Sequence, residues 1–149
     1  EAEMAVVIGH EVSHAIARHG GERMSQGVLQ NAGAAVVSVL TSGSAYQELA
    51  VSAYGVTTNL AGILPYSRLH ESEADKIGMI LMAKAGYDPN YAITFWKKFG
   101  GNSGGFLEAF TSTHPLGEDR IRAMQENLPE ALKIYNASKV RYGAGNKLR

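Results

Sequence analysis

Apolar residues at Met4, Val7, Ile8, Ala15 and Ile16 recur at the spacing of an amphipathic helix, running from the first residue to about Arg18. Gly20-Gly21 then supplies a stop of the kind that follows a helix C-terminus. Residues 25 to 64 are dominated by small and apolar side chains (Val28-Leu29, Ala32 to Leu40, Tyr46 to Leu64), and Gly43-Ser44 divides them into two helices covering the core. A membrane hairpin is the alternative. A span needs about 20 predominantly apolar residues, and Gln30, Asn31, Ser38, Gln47, Glu48 and Asn59 interrupt every window. Pro65 closes this region, and a third long helix begins at Ser67, with Leu69, Ile77, Ile80, Leu81 and Ala85 as its apolar set and Gly86 at its end. Asp88-Pro89 opens the next helix with an N-cap and a proline at the first position. Its stripe of Tyr91, Phe95, Trp96 and Phe99 reads as core. Gly100 to Gly105 reads as a loop, and Phe106 to Phe110 packs briefly. Thr113-His114-Pro115 opens a helix faced by Ile121, Met124 and Leu128, which Pro129 ends. Ala131, Leu132 and Tyr135 support a last turn or two before a polar tail that frays. The pattern predicts a mainly α chain, a single domain over residues 1–149.

Composition narrows the function. At 149 residues the chain is long enough for one core. Fourteen basic and fourteen acidic residues balance, so nothing marks a nucleic-acid surface or an anionic-membrane patch. The absence of cysteine excludes thiolate zinc sites, disulfides and a thiol nucleophile. The opening Glu1-Ala2-Glu3-Met4 lies already inside a helix, without a cap or a signal peptide. The expectation is a piece of a longer protein, truncated just before this helix.

The chemistry starts at His10-Glu11-Val12-Ser13-His14. Residues four apart on a helix share one face, so two imidazoles stand one turn above each other. They can take two corners of a zinc tetrahedron, leaving room for a third protein ligand and a water. Glu11 falls beside the metal, where it can take a proton from that water. Two histidines around a glutamate can also be a solvated helix face. The flanking Val6, Val7, Ile8, Val12, Ala15, Ile16 and Ala17 argue instead for a largely buried helix, whose His and Glu need partners. His19 does not extend the motif. The three-histidine variant needs Gly three residues after the second His and the third His three further on, and this chain has Ala17 and Gly20 there. Half a turn out of phase with His10, His19 reads as structural.

A hydrolytic zinc site of this kind adds one carboxylate to two His. Glu71 and Asp75 are four apart and share a face, while Glu73 points elsewhere. Taken alone, this cluster reads as a solvated helix start favoured by the N-terminal dipole. Beside the histidine pair, the longer Glu71 is assigned to zinc and Asp75 to the free ring N–H of a ligand His.

These blocks, together with Gly78, Gly86-Tyr87-Asp88-Pro89, Ser112-Thr113-His114-Pro115 and Arg120-Ile121, resemble the gluzincin metallopeptidases related to the CAAX prenyl endopeptidase, HtpX and Oma1. The resemblance covers most of the chain, in family order. It implies a zincin-like helical core with the family's N-terminal strands missing or minimal, Glu71 as third ligand of one Zn2+ per chain, and His114 and Arg120 beside the active site. It further implies a soluble or lipid-anchored bacterial branch, periplasmic or outer-membrane-associated, with any membrane association coming from a region upstream. The implied partner is a protein or peptide substrate, not nucleic acid.

The function expected is zinc-dependent endopeptidase activity on misfolded or envelope proteins, with a zinc-activated water and Glu11 as general base. His114 is the candidate oxyanion donor, with Arg120 orienting it or the substrate. His114 could instead enter the open zinc position and block it. The alternative from another class is a zinc-stabilised, proteolytically silent chaperone-like or scaffold module.

Overall fold

The computed structural model describes residues 1–99, 110 and 112–143, with Tyr66 and Phe99 described by their backbone alone. The expected loop at 100–105, the segment 106–109, the side chain of Phe99 and the last six residues of the tail lie outside the described residues. The elements are helical: α1 (Ala2–Ile16), α2 (His19–Leu40), α3 (Gln47–Thr58), a π-helical turn (Asn59–Ile63), α4 (Leu64–Lys84), α5 (Asn90–Phe99) and α6 (Glu118–Ala137). No strand occurs among the described residues, and the only β feature there is a single parallel bridge between Tyr87 and Tyr142. The chain is mainly α, as its pattern predicts.

Two compact units form, one from Glu1–Ala17 and Glu71–Arg149, the other from Arg18–His70. In the second, α2 and α3 are tied by Gln30 donating to Thr58 Oγ1 (3.0 Å) and by Gln47 donating to Ser38. The break before α2 is not at the glycine pair. Arg18 takes the left-handed conformation, φ 59, and redirects the chain two residues before Gly20. Gly20 and Gly21 then fall in the first turn of α2, where amides lack intrahelical partners in any case.

Pro65 also does not end a helix. The chain passes from α3 through the π turn directly into α4, with Leu64 donating to the carbonyl of Asn59, five residues back. This widened turn precedes a residue that has no N–H to offer the ladder. Pro129 likewise lies inside α6, which continues because Met124 and Ala131, on either side, are buried. Among the described residues, no helix is long and apolar enough to cross a membrane.

The first unit holds the core: Val6, Met79, Met82, Ala83, Ala92, Ile93, Phe95, Trp96, Phe110, Met124 and Ala131. The burial of α1 differs from the expectation. Ala2, Val6, Gly9, His10 and Ser13 face inward, while Met4, Ile8, Val12 and Ile16 lie on the exposed side. On α4, Glu71, Ala74, Asp75, Gly78, Met79 and Met82 are buried, and Leu69 is exposed. Apolar residues therefore lie on both sides of these helices, Val6, Met79 and Met82 inside and Ile8, Val12, Ile16 and Leu69 outside, and do not by themselves mark the buried face. The polar His10, Glu71 and Asp75 are inside because they satisfy one another, while Glu11 stays exposed.

Gly9 and Gly78 explain how the helices come so close. A β-carbon on Gly9 would stand 3.1 Å from the carbonyl oxygen of Gly78, and one on Gly78 would stand 3.1 Å from the amide nitrogen of His10. At the other end of α4, Gly86 closes the helix with φ 86 and accepts from the Tyr142 amide at 2.7 Å. Asp88 caps α5 through its carboxylate, which accepts from the Asn90 amide at 2.9 Å. His114 ends a turn rather than opening a helix, its amide donating to the carbonyl of Phe110, and α6 begins only at Glu118.

Candidate metal centre

The glycine crossing puts His10 of α1 opposite Glu71 and Asp75 of α4, and the helical period then places His14 one turn further along. His10 Nε2 lies 3.1 Å from His14 Nε2 and 3.2 Å from Glu71 Oε2, and His14 Nε2 lies 3.4 Å from Glu71 Oε1. His114 adds its Nδ1 at 2.9 Å from Glu71 Oε2 and 3.2 Å from His10 Nε2. Donor atoms from these four residues all fall within 4.8 Å of one another.

This set suits a divalent cation. Ligands about 2.0–2.1 Å from a tetrahedral ion are about 3.3 Å apart, close to the spacings among His10, His14 and Glu71. Imidazole nitrogens and a carboxylate are the donors that zinc prefers when thiolates are absent.

Asp75 sets the orientation of His10. Its Oδ1 accepts from His10 Nδ1 at 3.0 Å, which leaves the lone pair of Nε2 turned toward the other donors. Asp75 is itself clamped by Arg120, Nε to Oδ2 at 2.7 Å and Nη2 to Oδ1 at 2.8 Å, a bidentate pair with both side chains buried. Nη1 of Arg120 donates to the carbonyls of His114 (3.1 Å) and Pro115 (3.0 Å) and lies 3.4 Å from Glu71 Oε2. Of the two roles expected for Arg120, this geometry suits orientation of His114. At 4% exposure, the guanidinium is closed off from a substrate.

The aromatic stripe reaches further than core packing. Trp96 lies beneath the Arg120 guanidinium at 4.2 Å and meets the His10 ring edge-on at 5.4 Å, while Phe110 packs on both Trp96 and His114. Sequence reasoning gave Trp96 and Phe110 no part in the site, because helical periodicity shows which residues are buried but not what they are buried against.

The electrostatics favour positive charge. Burial disfavours protonated His10, but its hydrogen bonds to Asp75 and Glu71 outweigh this and raise its pKa above the ordinary 6.5. Burial alone would raise the Glu71 carboxyl. Hydrogen bonds from His10 and His114, with the Arg120 charge nearby, instead hold it well below the usual carboxylate range. A site that holds Glu71 ionised and draws a proton to His10 offers the same attraction to a metal cation.

Glu11 stands apart from this buried set. Its side chain is 49% exposed, and its Oε1 lies 3.2 Å from His114 Nε2. His19 does not join the cluster either; it is buried against the ring of His70. Glu73 points to solvent.

Residues 1–128 match the family described as peptidase family M48. Over 137 residues the chain is 41% identical to the mitochondrial metalloendopeptidase OMA1 of Arabidopsis thaliana, covering 91% of this chain and 27% of that protein. It is 38% identical over 133 residues to the protein of the same name from Schizosaccharomyces pombe, covering 88% of this chain and 38% of the relative. The beta-barrel assembly-enhancing protease of Yersinia pestis is 30% identical over 131 residues, 81% of this chain and 26% of that protein. The chain thus spans well under half the length of these relatives. No solved structure gives a significant match.

Proposed function

The chain belongs to peptidase family M48, and on that footing we propose that it is the catalytic domain of a zinc-dependent endopeptidase, with His10, His14 and Glu71 as the residues that would hold one zinc ion. The observation that carries this reading is the convergence of His10 Nε2, His14 Nε2 and the Glu71 carboxylate at 3.1–3.4 Å, beside an ionisable group, Glu11, that is not part of the buried donor set. A purely structural site has no use for such a carboxylate, which disfavours the silent scaffold.

Zinc, when bound, lowers the pKa of a water to about 7 and polarises a carbonyl. The protein's part is to move protons and hold geometry. Glu11, half-exposed, accepts the proton of the attacking water and returns it to the leaving amine. Asp75 keeps His10 in the tautomer that presents Nε2. Arg120 holds Asp75 and the backbone at His114 and Pro115.

His114 fills the fourth corner of the donor set and faces Glu11 with its other nitrogen. We read this as a closed arrangement: the ring takes the place that water needs, and it must withdraw before catalysis. Withdrawn, it remains close enough to serve as the oxyanion donor.

The substrates proposed are unfolded or misfolded proteins, including those of a bacterial envelope. The likeness to a protein named a beta-barrel assembly-enhancing protease supports this, as well as a periplasmic or outer-membrane-associated location. The test pairs metal analysis with casein cleavage, using the full-length protein and its Glu11→Gln form. The expected result is one zinc in both and turnover in the parent alone. Equal turnover by Glu11→Gln would remove Glu11 as the base.

A further inference from the structure

A second cluster of titratable side chains lies outside the metal centre, at the two ends of the Arg18–His70 unit. His19 and His70 are each almost fully buried, at 1% and 3% exposure, and their rings stack at 4.1 Å with 16° between planes. His70 Nε2 donates to Glu22 Oε2 at 2.7 Å. The first residues of the unit thus grip its last residue.

The position of that grip matters. His19 follows His14 by five residues, and His70 immediately precedes Glu71. The described side chains at the upstream start of α4 give it little hold. The π turn and Pro65 interrupt the regular ladder just before it, and no described side chain from Leu64 to Leu69 is buried. Among the described side chains of the helix, His70 is the first that is buried. Downstream, the crossing at Gly78 fixes α4 two turns beyond Glu71.

We propose that His19, Glu22 and His70 form a positioning clasp that sets the rotation of α4 at Glu71 and thereby aims its carboxylate at His10 and His14. The clasp closes an excursion of about fifty residues at its root before metal arrives, so metal binding need not meet that loop-closure cost. Glu22 and His70 touch neither metal nor substrate; they act through the backbone that joins His70 to Glu71. The inference rests on the zinc reading of Glu71, and the experiment separates the two.

Zinc affinity of the full-length chain would be measured by chelator competition, and the geometry of its Co2+ form by visible absorption. The key variant is Glu22→Ala, because the Glu22 side chain is 51% exposed and its loss leaves no cavity. Removing a partner that orients a ligand costs about 10-fold or more in metal affinity. Glu22→Ala and His70→Phe, which keeps a ring for His19 to stack on, are each expected to weaken zinc binding about 10-fold and to alter the Co2+ spectrum. Glu22→Gln, which keeps a hydrogen-bond acceptor, should retain the parent's affinity and spectrum. If Glu22→Ala and His70→Phe bind zinc as the parent does, with the same Co2+ spectrum, the clasp is overturned, whatever happens to the melting temperature. If the parent itself takes up no zinc, the metal reading fails and the clasp with it.

Discussion

Gly9 and Gly78 meet backbone to backbone, so closely that a β-carbon on Gly78 would press on the amide nitrogen of His10 at 3.1 Å. The obstacle is main chain, which cannot rotate away. Gly78→Ala should therefore push α1 from α4 even though alanine favours a helix by about 1 kcal/mol over glycine. The expected outcome is a melting temperature within a few degrees of the parent and a zinc affinity reduced about 10-fold, read by chelator competition. Unchanged affinity would mean the helices can part without disturbing the donors.

The Asp75–Arg120 pair is buried and bidentate, and Asp75 also receives the His10 N–H. Asp75→Asn keeps an oxygen for His10 but leaves the guanidinium without its counter-charge. Breaking a buried pair from one side costs roughly 3–5 kcal/mol, and replacing the charged partner of a ligand His by a neutral one costs about 10-fold or more in metal affinity. Denaturant titration and zinc competition would register both losses. A variant with wild-type stability would show that Arg120 finds another acceptor.

His114 is the fourth member of the donor group and lies 3.2 Å from Glu11. His114→Ala should weaken zinc binding a few-fold through loss of a donor, yet raise basal cleavage of casein by freeing both the water's place and the base. A fall in turnover with zinc saturating would assign the ring chiefly to oxyanion stabilisation and end its reading as a block.

Without metal, pH should act on the site in two directions. Glu71 has its pKa lowered on folding, so its contribution is present above the ordinary 4.5 and is lost as pH falls through the folded value. His10 has its pKa raised, so its contribution is present below 6.5 and is lost as pH rises through the folded value. These two groups make the chelator-treated chain most stable between those limits. Added zinc competes with the proton on His10, so its stabilisation should grow with pH. Melting curves from about pH 4 to about pH 8, with and without zinc, would test this. Zinc stabilisation greatest at the acid end would exclude His10 as a ligand.

Much of the site was legible because it is local. Helical period alone places His10 over His14 and Glu71 over Asp75, and it turns Glu73 to solvent. What failed was the use of apolar residues to infer burial: Ile8, Val12 and Ile16 lie outside, while His10 and Ser13 lie inside. Hydrophobicity expresses a residue's average preference for burial, and here a network of paired polar groups overrides it. The helix boundaries at Gly20-Gly21, Pro65 and Pro129 failed for a related reason. A left-handed arginine, a π turn and buried neighbours each alter what glycine and proline do in isolation.

From its residues alone the chain established a helical architecture, a histidine pair on one helix and a carboxylate pair on another, since each depends only on the 3.6-residue repeat. Folding in three dimensions decided that these pairs face one another across two glycines, that Asp75 takes Nδ1 while Glu71 faces Nε2, and that His114 and Arg120 complete the arrangement. Those relations join residues 43 to 104 positions apart. No local period spans such distances; only the close packing of one backbone on another sets them.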